Sequence, residues 1–219
     1  MAKVNEHSRI IAAAAKAALQ PLGLKRKGQS RVWYSDQRFW IIAVEFQPSG
    51  WSKGSYLNVS IKWLWHSGAG YDFSDRPVDF IPFESAEQFT PLVEGMAARA
   101  AQEVEAWKDR FKTFDDICQY LIAKAKDDGW PICNAAIATG LAGDEDTSRR
   151  YFQRLEDWET YGYDWQLRLK ADSAALAALL LDPKKFRLEV LNLIQRQRAS
   201  MKMPPEPNCL EMVDFQAGQ

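Results

Sequence analysis

The residues of this chain whose types could do chemistry are two histidines, three cysteines and three short runs of carboxylates. His66 ends a strand-like run beside Gly68 and Gly70, where a general base would stand open to a substrate. The other imidazole, His7, lies near the N-terminus, so the sequence offers no obvious second histidine for a metal site or a proton relay. Asp115-Asp116, Asp127-Asp128 and Asp144-Glu145-Asp146 each fall at a predicted helix end. Capping and dipole compensation account for the first and third, and the second reads as a solvated polar end. Gly68-Ala69-Gly70 lacks the lysine, the hydroxyl residue and the following helix of a phosphate loop. Cys118, Cys133 and Cys209 are odd in number and widely spaced, which fits free thiols in a reducing compartment. Cys118 and Cys133 also fall on the apolar sides of predicted helices, as small buried hydrophobes do. No metal and no cofactor is expected.

Binding residues are better candidates than catalytic ones. Lys25, Arg26 and Lys27 form a basic run, followed by Arg31 and Trp33; further on come Tyr56, Asn58, Lys62 and His66. The alternation of Ser55 to Trp65 puts Leu57, Val59, Ile61, Trp63 and Trp65 on one face and Tyr56, Asn58, Ser60 and Lys62 on the other. The second set, with Arg31 and Trp33 on a neighbouring strand, would combine aromatic, amide and cationic groups. Such a surface can stack the bases of single-stranded nucleic acid, at about 1–3 kcal/mol per base, or anchor a protein. A helix laid over that face is the competing expectation, and the apolar middle strand favours it.

The elements that would position these residues can be read from periodicity. Residues 5 to 20 are alanine-rich with Ile11, Ala15, Ala18 and Leu19 at helical spacing, and Pro21 and Gly23 stop them. Lys3 and Arg9 ahead of this apolar run faintly resemble a signal peptide, but Lys16 interrupts the run and an amphipathic helix is expected instead. Arg31 to Trp65 is dense in aromatic and β-branched residues and is cut twice by turn-like residues, which predicts a three-stranded antiparallel meander. Its middle strand, Phe39 to Gln47, is apolar at nearly every position and belongs in the centre of the sheet. Pro77 and Pro82 assign residues 71–83 to a loop or a fourth, edge strand.

Ser85 followed by Glu87 and Gln88 opens a long helix to about Lys112, and Thr113 with Asp116 caps the next. Further helices follow, the last opening on Asp182-Pro183, before prolines end regular structure. The expected fold is α+β: an N-terminal helix, an antiparallel meander of three to four strands, and a helical C-terminal part packed against it. Residues 1–84 and 85–200 are read as parts of one unit, with 201–219 a loosely attached tail.

The net charge of −1 conceals an asymmetry, because residues 1–70 carry a balance of +7 and the rest −8. No stretch approaches the roughly 20 apolar residues that span a bilayer, so no membrane segment is expected.

The runs Pro21-Leu22-Gly23-Leu24-Lys25-Arg26-Lys27-Gly28, Trp33-Tyr34, Val44-Glu45-Phe46-Gln47 and Tyr56-Leu57-Asn58-Val59 resemble a bacterial domain-of-unknown-function family, number four-three-zero-four. Leu24 stands where that family usually has phenylalanine, and Ser60 where glycine is common. The resemblance covers roughly residues 15 to 65. It implies an α+β fold and a bacterial origin, and it supplies no activity.

The leading expectation is a cytoplasmic, non-enzymatic protein-interaction or immunity-like module. The alternatives are a nucleic-acid-binding protein using the basic aromatic sheet, and a hydrolase-type enzyme with its site near His66.

Overall fold

The computed structural model describes residues 6–66 and 75–213 of the 219-residue chain. The expected turn at Ser67 to Gly70 and the beginning of the 71–83 segment lie outside them. The fold is α+β: α1 (Glu6–Leu19), a five-stranded sheet, and six further helices. The strands are β1 (Lys25–Arg26), β2 (Val32–Asp36), β3 (Trp40–Gln47), β4 (Gly54–Trp63) and β5 (Asp75–Pro82), in the order β1-β2-β3-β4-β5 with every neighbouring pair antiparallel. No helix among the described residues is long and apolar enough to cross a membrane.

The chain divides into two compact units, the first ending at Trp63 and Asp109, the second made of Leu64 to His66 and the residues from Arg110 onward. The long helix α2 (Ala86–Arg110) therefore belongs with the sheet, and not with the later helices as the expected boundary at residue 84 had it.

In the sheet unit, β3 is central and its residues Trp40 to Val44 and Phe46 are all buried, as a strand with two covered faces should be. Trp40 lies directly opposite Trp63, with ring centroids 6.0 Å apart. Beyond the expected meander, Lys25-Arg26 adds a two-residue ladder at one edge, and β5 adds the other, where its prolines leave no central ladder bond unmade. Gly54 opens β4 at φ +150°, and a Cβ there would lie 2.3 Å from the Ile81 carbonyl oxygen, so only glycine allows β5 this close. α2 opens as expected: Ser85 Oγ accepts from the Gln88 amide, and Gln88 Oε1 accepts from the Glu84 amide. Leu92 of α2 is exposed.

β4 ends at Trp63, two residues earlier than the alternation suggests, and Trp65 belongs to the helical unit. That unit is built from α3 (Phe114–Lys124), α4 (Gly129–Leu141), α5 (Glu145–Asp157), α6 (Asp164–Ala177) and α7 (Pro183–Ser200). α4 is buried along most of its length, which accounts for its run of Ile, Cys and Ala with hardly a charge. Asp182 accepts from the Lys185 amide and Pro183 occupies the first turn of α7, where its missing N–H costs nothing.

The segment after α7 is fastened down, not loose. Met201, Met203, Cys209, Leu210 and Val213 are buried. Gln195 donates to the Glu206 carbonyl and accepts from its amide, Arg198 donates to the Pro204 carbonyl, and Arg187 reaches the Leu210 and Val213 carbonyls. Cationic and amide side chains of α7 thus satisfy carbonyls that no strand or helix could serve.

Candidate functional site

The register decides which candidate residues share a face. Trp33 pairs with Val44 and Val44 with Val59, while Arg31 stands opposite Phe46, whose amide donates to the Arg31 carbonyl at 3.1 Å. Arg31 and Trp33 therefore lie on the Leu57–Val59 face, and Tyr56, Asn58, Ser60 and Lys62 lie on the other. The surface expected to combine them does not exist. Within one strand, parity groups the residues correctly; across strands it needs the register, which the sequence does not carry.

On the first face, Trp33 is buried and Arg31 is half-buried. The Arg31 guanidinium donates to Ser8 Oγ (2.9 Å), to His7 Nε2 (2.8 Å) and to the Gly54 carbonyl (3.3 Å), so it ties α1 to two strands. Burial lowers the Arg31 pKa. His7 is buried too, and burial first, then the charges of Arg31 and Lys53, lower its pKa. Because the guanidinium can only donate, His7 Nε2 accepts and the imidazole is neutral, its proton on Nδ1.

On the opposite face, Asn58 is 2% exposed, and Ser60 and Lys62 are also buried, so these three do not form an open surface. Asn58 donates to Glu45 and Gln47 and accepts from Arg76, whose guanidinium also lies 4.4 Å over the Tyr56 ring. This network consumes the groups a ligand would need. Lys25, Arg26 and Lys27 are exposed at the β1 edge, and Arg26 donates to the Ser30 and Gln29 carbonyls of the following turn. Lys16, Lys25 and Arg26, with Gln20 and Trp33, line a shallow groove of about 520 Å³.

His66 belongs to the helical unit. Its imidazole lies against Trp130, centroids 4.2 Å apart, and its Nε2 meets Asn134 Oδ1, which also accepts from Trp65 Nε1 at 2.8 Å. An indole N–H can only donate, so the shared atom is the amide oxygen and His66 Nε2 must carry a proton. His66 Nε2 is thereby held as a donor to a buried amide, which leaves Nδ1 as the ring's basic nitrogen when the imidazole is neutral.

The carboxylate runs serve helix ends. Thr113 Oγ1 accepts from the Asp116 amide, and the Asp116 carboxylate accepts from the Thr113 hydroxyl and the Thr113 amide; the hydroxyl bond first, then the amide bond, hold the Asp116 carboxyl below its usual pKa. Asp144 caps α5 through the Thr147 amide, and Asp128 stands at the N-cap of α4 without a side-chain bond. No group of three His, Cys, Asp or Glu among the described residues could hold a metal ion. The three thiols are free and buried; burial pushes Cys118 up to about 12 and Cys133 and Cys209 up to about 11, far from thiolate reactivity at neutral pH.

A different surface is open. The loop joining α5 to α6 and the first turn of α6 read Trp158-Glu159-Thr160-Tyr161-Gly162-Tyr163-Asp164-Trp165. Tyr161 is 87% exposed and Tyr163 61%, and Trp165 and Leu167 are exposed as well. The loop is nonetheless built: Gln166 is buried, and its Oε1 accepts from the Tyr161 amide at 2.8 Å and the Tyr163 amide at 3.3 Å, with Gly162 turning at φ +77° between them. Tyr161 and Tyr163 stand 6.4 Å apart by ring centroid, Trp158 and Trp165 5.9 Å.

No protein-family model, curated protein or solved structure matches this chain.

Sequence reasoning passed over this loop because a helix-to-helix connection carries no motif. The signal was there in composition: four aromatics within eight residues, with glycine among them and no aliphatic residue to suggest a core. Aromatic side chains carried on a fixed backbone bind at lower entropic cost, since the backbone has little freedom left to lose.

Proposed function

We propose that this protein is a non-enzymatic protein-interaction module of the bacterial cytoplasm whose docking element is the α5–α6 loop. The observation that carries the reading is the exposure of Tyr161, Tyr163, Trp165 and Leu167 on a backbone fixed by the buried Gln166. Soluble chains seldom leave large aromatic groups in water without use, and tyrosine and tryptophan dominate binding hot spots. The buried thiols suit a reducing compartment. The test is to place a photoreactive phenylalanine analogue at Tyr161 and irradiate cells. A discrete protein adduct, lost when Tyr163 and Trp165 are alanine, is the expected result; adducts with nucleic acid, or no adduct, overturn the reading.

A second reading, nucleic-acid binding, is favoured by the groove that Lys16, Lys25 and Arg26 line. Burial of Trp33 removes the stacking ring it would use. A gel shift at low salt, absent in Lys25→Ala/Arg26→Ala, would support it; no shift at low salt ends it.

A further inference from the structure

Three tyrosines outside the α5–α6 loop carry the protein's own cations over their rings: Arg76 stands 4.4 Å over Tyr56, Arg154 5.3 Å over Tyr151, and Arg110 and Lys124 5.8 and 5.7 Å over Tyr120. Tyr161 and Tyr163 have no cation over them among the described residues. From Leu155 to Leu167 the chain carries four acids, Glu156, Asp157, Glu159 and Asp164, and no base. All four are exposed, and none has an ion-pair partner among the described residues. The cations at either flank are tied elsewhere, Arg154 to the Ala125 and Lys126 carbonyls and Lys170 to the Glu156 carbonyl, while Arg168 lies one turn into α6.

We propose that the loop receives an arginine-bearing segment of the protein partner, its guanidinium seated on Tyr161 and Tyr163 and its charge met by Glu159 and Asp164. This rests on the protein-interaction reading and names the partner's chemistry. A cation is attracted within about 6 Å of a ring centroid, and two tilted rings 6.4 Å apart place one guanidinium within reach of both. Unpaired carboxylates beside the rings strengthen the attraction and exclude acidic partners. Arginine suits the site better than lysine because its planar, weakly hydrated head stacks on rings and forks onto a carboxylate.

The test titrates the full chain against three labelled short peptides by fluorescence anisotropy: one bearing spaced arginines, its isostere with citrulline for arginine, and an acidic control. The arginine peptide binds, the citrulline peptide binds about tenfold or more weaker, and added salt weakens the first far more than the second. Tyr161→Ala/Tyr163→Ala lowers arginine-peptide affinity by about tenfold, and Glu159→Gln/Asp164→Asn lowers it while flattening the salt dependence. Trp51→Ala, on the β3–β4 loop, leaves it unchanged. Equal binding of the citrulline peptide, or arginine-peptide binding that the loop variants do not weaken, overturns the proposal. So does a failure of the arginine peptide to bind at low salt. The photocrosslink at Tyr161 remains an independent measure of the interaction reading, so the two can fail separately.

Discussion

Gly129 sits directly beneath the indole of Trp158. A Cβ at Gly129 would lie 2.5 Å from Trp158 Cζ3 and 2.9 Å from Leu169 Cδ2, so the first turn of α4 forms the floor on which the aromatic loop begins. Gly129→Ala must push the indole out or shift α4, and overpacking of this kind costs about 1–3 kcal/mol. Thermal unfolding followed by circular dichroism should show a midpoint lowered by several degrees. The photocrosslinking yield from Tyr161 should fall with it, because Trp158 and the loop move together.

Gln166 provides a second, more local handle on the loop. Gln166→Leu keeps most of the volume and removes the oxygen that two backbone amides share. Stability should drop by about 1 kcal/mol. Hydrogen exchange at the Tyr161 and Tyr163 amides should accelerate while exchange in α4 stays unchanged; equal rates in variant and parent would show that Gln166 does not hold the loop.

Acid should weaken the sheet unit through His7. Its folded pKa lies below the ordinary 6.5, chiefly because it is buried and secondarily because Arg31 and Lys53 are near. Above the unfolded value both states hold a neutral ring, and this contribution to stability is present in full. As pH falls below it, the unfolded chain takes up the proton first, so stability is lost down to the folded pKa. Urea unfolding at a series of pH values from above 7 to 5 should show the decline. His7→Gln, which retains an acceptor for Arg31, should flatten that part of the profile.

Asn134 serves two donors at once, Trp65 Nε1 and His66 Nε2. Asn134→Leu removes the acceptor that the buried Trp65 indole N–H and the half-buried His66 share, a change that should cost roughly 1–3 kcal/mol. The indole N–H resonance of Trp65 should shift strongly in that variant. His66→Gln, by contrast, should cost less and leave any partner binding through the α5–α6 loop unchanged; loss of such binding would return His66 to the candidate site.

The elements themselves were readable from local chemistry. The capping residues Ser85, Thr113, Asp144 and Asp182, the apolar β3 and the prolines of β5 all behave as their types require. Which residues meet across the sheet was not readable, since Trp33 could fall on either side until its pairing with Val44 fixed it. Exposure was harder still. Trp33 and Lys62 look like binding groups in the sequence and are buried, whereas Tyr161 and Tyr163 sit among unremarkable helices and face water. Burial is a property of the whole chain, and no window of ten residues contains it.

The fastening of residues 201–213 onto α7 sets an order on how this molecule is made. Arg198 is 2% exposed, and its guanidinium meets the Pro204 carbonyl; Arg187 waits for Leu210 and Val213. During synthesis α7 leaves the ribosome before those carbonyls do. Until they follow, these guanidinium groups lack the carbonyls they bond in the finished fold, so the full seating of α7 waits on residues 204–213. A stop codon just past Ser200 would leave α7 complete and without the Pro204, Leu210 and Val213 carbonyls that its arginines bond.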